Sequence, residues 1–213
     1  MRLIARASSL RGAEDAASYF VGQALDVLAL RINLPMKIGV EIPSRPHNQP
    51  TPTRRIISQG MWEEAFTLGR QYSLNRPVFS RALSWYRKGL IGENPIDELL
   101  SYWLSIETIA EKYHTIIRQP RIGMDKKVIS LFKILWGNSE SWEVIPNQPE
   151  IVTQFKNDRN DIAHGNIKVD INQLRRFMDV LPLYQDIAYA FVCTWEEAGI
   201  MIEQRLIDNI AEE

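Results

Sequence analysis

Arg159-Asn160-Asp161-Ile162-Ala163-His164-Gly165 gathers an arginine, two short polar side chains, a histidine and a helix-stopping glycine into seven positions. Pro146-Asn147-Gln148-Pro149 lies upstream, and a helical pattern runs from Glu150 into the segment, with Gly165 suited to a left-handed cap. The polar cluster therefore reads as the last turn of a helix. Asn160 and His164 are four apart and share one face, whereas Arg159 stands about 140° around the axis from His164. Either the arginine curls, or its partner comes from another helix or another subunit. A histidine in a last turn meets the negative end of the helix dipole, a position that suits a cation. Such a histidine can pass a proton to a leaving oxygen or hold a phosphate. A guanidinium is a planar fork matched to phosphate oxygens. Together these are minimal parts for metal-independent cleavage of a phosphodiester, with the 2′-hydroxyl of RNA as the nucleophile. The simpler reading is a C-cap, with Arg159 in an ion pair with Asp158 or Asp161, and spacing alone favours it.

Outward from this segment the chain reads as helices. Gly12 to Ile32 carries apolar residues near a 3.6-residue period, and helices follow at about Met61–Leu74, Val78–Leu90, Ile96–Ile117 and Met124–Trp136. Pro95 suits a helix start, and Gly137-Asn138-Ser139 suits a stop. Ile171 to about Ile207 is helical, with a break expected near Pro182. Residues 1–8 and Met36–Ile42 alternate like short strands, and Pro43, Pro46, Pro50 and Pro52 mark a loop that no helix can cross. The division expected is a small α/β appendage in residues 1–53 and a helical domain in 54–213. The fold class is all-α, an antiparallel helical bundle.

Composition narrows the function classes. With 45% hydrophobic and 24% charged residues the 213-residue chain is an ordinary globular one. Its net charge of -1 gives no overall pull toward nucleic acid or membrane. The charge is uneven, however: residues 54–133 hold 13 Lys/Arg against 8 Asp/Glu, and residues 134–213 hold 6 against 14. A basic middle can serve a phosphate backbone locally. Cys193 is alone, so neither an intramolecular disulfide nor a thiolate zinc site is possible, and its apolar surroundings point to a buried structural thiol. His47, His114 and His164 are too scattered for a metal cluster, and nucleotide-binding glycine motifs are missing, so neither metal nor cofactor is expected. No apolar run is long enough to span a membrane, and a cytoplasmic protein is expected.

The segment Arg159 to His164 resembles the RxxxxH motif of the HEPN superfamily, small all-α domains that include many metal-independent ribonucleases; Asn160 supplies the polar residue that follows the arginine. Upstream, Arg81-Ala82-Leu83-Ser84-Trp85-Tyr86-Arg87-Lys88-Gly89-Leu90, followed by Asp97 to Tyr113 with Trp103 and Ile106-Glu107, is similar to the Apea-like HEPN branch. The likeness covers about residues 79–208. It implies a HEPN-like four-helix up-and-down core with extra helices, and a homodimer in which motif residues of both subunits meet across a two-fold cleft. By the same resemblance His164 is the general acid/base, Arg159 binds the scissile phosphate, and Asn160 orients one or the other. The expected function is an endoribonuclease acting on single-stranded RNA in defence or toxin–antitoxin biology, with an antitoxin or regulatory protein as a further partner. Many HEPN domains have lost catalysis, so the alternative is a non-catalytic HEPN module that binds RNA, a nucleotide or a protein. Glu107 reads either as a carboxylate that orients Arg159 or His164, or as a structural charge. Arg54-Arg55 and Lys126-Lys127 are candidate RNA-backbone contacts, or simply solvated pairs.

Overall fold

The computed structural model describes residues 7–36, 57–114, 122–166 and 170–211. Seven α-helices make up the described residues: α1 (Leu10–Ile32), α2 (Gln59–Asn75), α3 (Pro77–Leu90), α4 (Pro95–Tyr113), α5 (Met124–Trp136), α6 (Glu150–Ala163) and α7 (Ile171–Ala211). A single 3-10 turn, Ser139–Ser141, follows α5. No strand occurs among the described residues. The strands expected at residues 1–8 and Met36–Ile42 fall, apart from residues 7, 8 and 36, outside them. No helix among the described residues is long and apolar enough to cross a membrane.

Local chemistry sets the helix ends. The Ser9 hydroxyl accepts from the Gly12 amide, the Ser58 hydroxyl from Met61, and Asn94 Oδ1 from both Ile96 and Asp97. Pro77 and Pro95 open α3 and α4, where a missing N–H costs nothing. Helix α5 stops at Gly137, whose φ of 78° an L side chain avoids. The break expected at Pro182 is not there, and α7 runs through it. The carbonyl that a proline nitrogen cannot serve belongs to Met178, which is 55% exposed, so water can take the lost bond.

The helices share one core. Helix α4 lies at its centre, burying Leu99, Tyr102, Trp103, Ile106, Ile109 and Ala110 against α3, α5, α6 and α7. Helix α1 adds Ala24, Val27, Leu28 and Leu30 to the same cluster, so the helix of the N-terminal segment packs into the main body. It pairs antiparallel with α2, as the Tyr19–Ser73 hydrogen bond and the Arg31–Glu64 ion pair show. At the opposite end of α2, Arg76 fills the one-residue gap before Pro77 and turns its side chain inward, 5% exposed. Its guanidinium donates to Glu203 Oε1 at 2.9 Å and to the carbonyls of Trp195 and Glu196, and lies 4.3 Å from the Phe79 ring centre. Trp195 Nε1 donates to the same Glu203 oxygen at 2.8 Å. Gly199 makes room for this, since a Cβ there would run into both the guanidinium and the indole.

Removing one partner of a buried pair strands the other charge, at about 3–5 kcal/mol. Arg76→Ala is therefore expected to lower the unfolding free energy by about that amount in a urea titration. An Arg76→Met/Glu203→Leu double variant should lose clearly less, because no charge is left behind.

Candidate functional site

Helix α6 is wedged between α4 and α7 by aromatic packing. Phe155 stacks on Tyr184 with ring centres 3.9 Å apart and meets Trp103 edge-on at 5.0 Å. Three residues further on, Asp158 is buried, 3% exposed, and accepts from Tyr184 Oη at 2.8 Å and from Arg176 Nη2. Burial beside this carboxylate pushes the Tyr184 phenol well above its ordinary value, so it stays a donor. With Asp158 committed to α7, a step of 100° along the helix carries Arg159 toward α4. There Arg159 Nη2 lies 3.2 Å from Glu107 Oε2 and 3.4 Å from Oε1, and Nη1 donates to Asn160 Oδ1 at 3.0 Å.

Arg159, Asn160 and Glu107 thus form one cluster. The side chains of Arg159 and Glu107 are 25% and 21% exposed, so the pair is partly open to solvent. Glu107 Oε2 is sealed from water and makes no aligned hydrogen bond, so its charge is answered by the ion pair with Arg159. Two of the five guanidinium donors are used on protein atoms, which leaves three without a protein hydrogen-bond partner. Asn160 serves Arg159 rather than His164. Neither Asp158 nor Asp161 pairs with Arg159.

His164 stands apart from this cluster. It caps α6, and the chain leaves through a Schellman arrangement, with the Gly165 amide on the Ile162 carbonyl and the Asn166 amide on the Asp161 carbonyl. Gly165 has φ of 66° and open space around its Cα, so conformation is what calls for glycine there. The His164 side chain is exposed, and no hydrogen bond or ion pair to a described residue holds its imidazole. Within a single chain no hydrogen bond or ion pair joins Arg159 and His164.

The basic candidates divide. Lys127 is largely buried and bonded to Glu111 Oε2 at 2.7 Å, so it is already engaged, while Lys126 is exposed. Arg54 and Arg55 lie outside the described residues, as does His47. Lys156 pairs with Asp125 at 3.4 Å, which ties α6 to α5. The Asp158, Arg176 and Tyr184 cluster was missed by sequence reasoning; the buried face of α6 would have pointed to it, since Val152, Phe155 and Asp158 recur every three residues. Among the described residues no three metal-ligating side chains converge. Cys193 is half-buried above an acidic groove of Glu143, Asp186 and Glu197, and burial pushes its thiol up to about 11.

Two outcomes follow. Asp158→Ala removes both hydrogen bonds that tie the motif helix to α7 and should lower stability by about 2–3 kcal/mol, measured by thermal or urea unfolding. Cys193 should react slowly with iodoacetamide at pH 7.5, where on the order of one thiol in several thousand is ionised, with a rate that keeps climbing to pH 10. No protein-family model, curated protein or solved structure matches the chain, so the reading of the site rests on its geometry and on the motif.

Proposed function

We propose that this chain is a metal-independent endoribonuclease of the HEPN type, acting on single-stranded RNA at a cleft completed by a second copy of the chain. One observation carries the reading: Arg159 is fixed by Glu107 and Asn160 with donors to spare, on the same helix end that offers an exposed, unengaged His164. The two residues stand about 140° apart around the helix axis, and a two-fold partner lets the arginine of one copy and the histidine of the other meet at one phosphate. An imidazole takes the 2′-hydroxyl proton as that oxygen attacks phosphorus. The guanidinium neutralises charge gathering on the non-bridging oxygens, and an imidazolium protonates the departing 5′-oxygen. The products are a 2′,3′-cyclic phosphate and a 5′-hydroxyl. Glu107 acts through Arg159 as a positioning residue. The setting in keeping with such an activity is defence or toxin–antitoxin biology in the cytoplasm, under a regulatory partner.

A second reading, a non-catalytic HEPN module, draws on the same ion pair: an arginine already held by a carboxylate also suits a purely structural role. The two are separated by assaying a labelled single-stranded RNA in EDTA. Arg159→Ala and His164→Ala are each expected to reduce cleavage at least a hundredfold with the circular dichroism spectrum retained; the melting midpoint should stay nearly unchanged in His164→Ala and fall in Arg159→Ala, where Glu107 loses its counter-charge, so that variant is assayed well below its midpoint. Activity should rise with the dimer fraction in analytical ultracentrifugation. Undiminished cleavage in both variants, or a strict metal requirement, would falsify the ribonuclease proposal, and binding without cleavage by a folded dimer would favour the module.

A further inference from the structure

Between its first and last turns, helix α4 is buried on every side but one. Leu100, Leu104, Glu107 and Thr108 reach solvent there, and with Asp97 and Glu111 toward the ends they follow spacings of three and four along one stripe. Helix α6 borders this stripe at Glu107 through Arg159. Helix α3 borders it one turn earlier, where a groove of about 440 Å³ is lined by Trp85 and Lys88 from α3 and by Leu100, Ser101 and Leu104 from α4. Leu104 precedes Glu107 by three residues, about 5 Å of helix rise. The groove and the Arg159 cluster are therefore neighbours on one face.

The α3 wall has a particular chemistry. Lys88 Nζ lies over the half-buried Trp85 ring at 4.7 Å from its centre and Arg81 Cζ over it at 5.9 Å, both on exposed side chains. Arg87, Lys127, Lys156, Arg159 and Arg176 are all paired with carboxylates. Arg81 and Lys88 form no ion pair with any described residue, and both are exposed. The carboxylate nearest to hand in the groove, Asp97, accepts from Asn94 Nδ2 at 2.6 Å in the helix cap. An aromatic ring covered by two exposed cations that have no ion pair among the described residues matches a nucleobase joined to its phosphates, because the long side chains can swing off the ring to take the backbone as the base stacks there.

We infer that Trp85, with Arg81 and Lys88, is a base-stacking platform that holds single-stranded RNA along the α4 stripe beside Arg159. This rests on the RNA-directed reading above and deepens it by naming where the strand lies. The test measures anisotropy of a fluorescent single-stranded oligoribonucleotide in the His164→Ala background, which separates binding from turnover, and in parallel cleavage by chains that keep His164. Trp85→Ala should weaken binding about five- to hundredfold, and Trp85→Phe, which keeps a π-face, should recover most of the loss. Arg81→Gln/Lys88→Gln should flatten the slope of log K against log salt by about 1.4, from 0.7 per single-strand phosphate contact. In cleavage assays the Trp85 and Arg81/Lys88 variants should raise KM for long RNA with kcat nearly unchanged. Circular dichroism and melting midpoints guard against misfolding, and the two surface cations remain informative should Trp85→Ala unfold. Intact binding in Trp85→Ala and in Arg81→Gln/Lys88→Gln, alongside cleavage that still depends on His164, overturns the platform and leaves the ribonuclease. If the unsubstituted chain neither binds nor cleaves RNA, the RNA-directed reading falls and takes the platform with it.

Discussion

Burial around α4 is the constraint from which the rest of this structure follows. A helix enclosed by four others can carry ionisable groups only where it reaches solvent, because a charge elsewhere would lose its hydration with nothing to replace it. The polar residues on its enclosed faces are accordingly small: Ser105 satisfies itself by donating to the Tyr102 carbonyl. Glu107 and Glu111 fall on the open stripe, and each draws a cation from a different neighbour, Arg159 of α6 and Lys127 of α5. The ion pairs thereby set how α5 and α6 seat against the central helix. The carboxylate that Arg159 meets stands where the middle of α4 reaches solvent.

Much of the fold was legible because its signals are local. Hydrophobic periodicity, the Asn94-Pro95 start and the Gly137 and Gly165 stops are decided within a few residues, and the helix bounds follow from them. Pro182 misled for an equally physical reason: the cost of a proline inside a helix falls where the orphaned carbonyl can find water, and exposure of Met178 is a tertiary fact. Arg76 was silent in the sequence, since nothing in Asn75-Arg76-Pro77 shows an arginine turning inward to meet a glutamate 127 residues away.

The motif was legible as a helix end, and its ion pairing was not. Asp158 and Asp161 flank Arg159 in sequence and look like ready partners, yet Asp158 is committed to α7 and the arginine turns to Glu107, 52 positions upstream. Sequence proximity is a poor guide on a helix, where adjacent residues point 100° apart. Glu107 came into view through the family resemblance, and helical spacing by itself gave no reason to prefer it over Glu111. Three buried or half-buried ion pairs, Asp26–Arg87, Arg76–Glu203 and Asp158–Arg176, share this character. Each joins distant parts of the chain, and burial lifts the Asp26 carboxyl above its ordinary range even against its arginine.

The Schellman exit at the end of α6 sets how much freedom its terminal histidine has. With the Gly165 and Asn166 amides returned to carbonyls of the last turn, the backbone of His164 belongs to the helix rather than to the connection that follows. Only two side-chain torsions remain to it, like a lamp on a fixed bracket. Helix α6 is itself clamped through Phe155 and Asp158, so the reach of the imidazole is a small cone referenced to the protein core. Whatever approaches that cone must come to it as a preformed surface, and the entropy of ordering a loop has already been spent in folding.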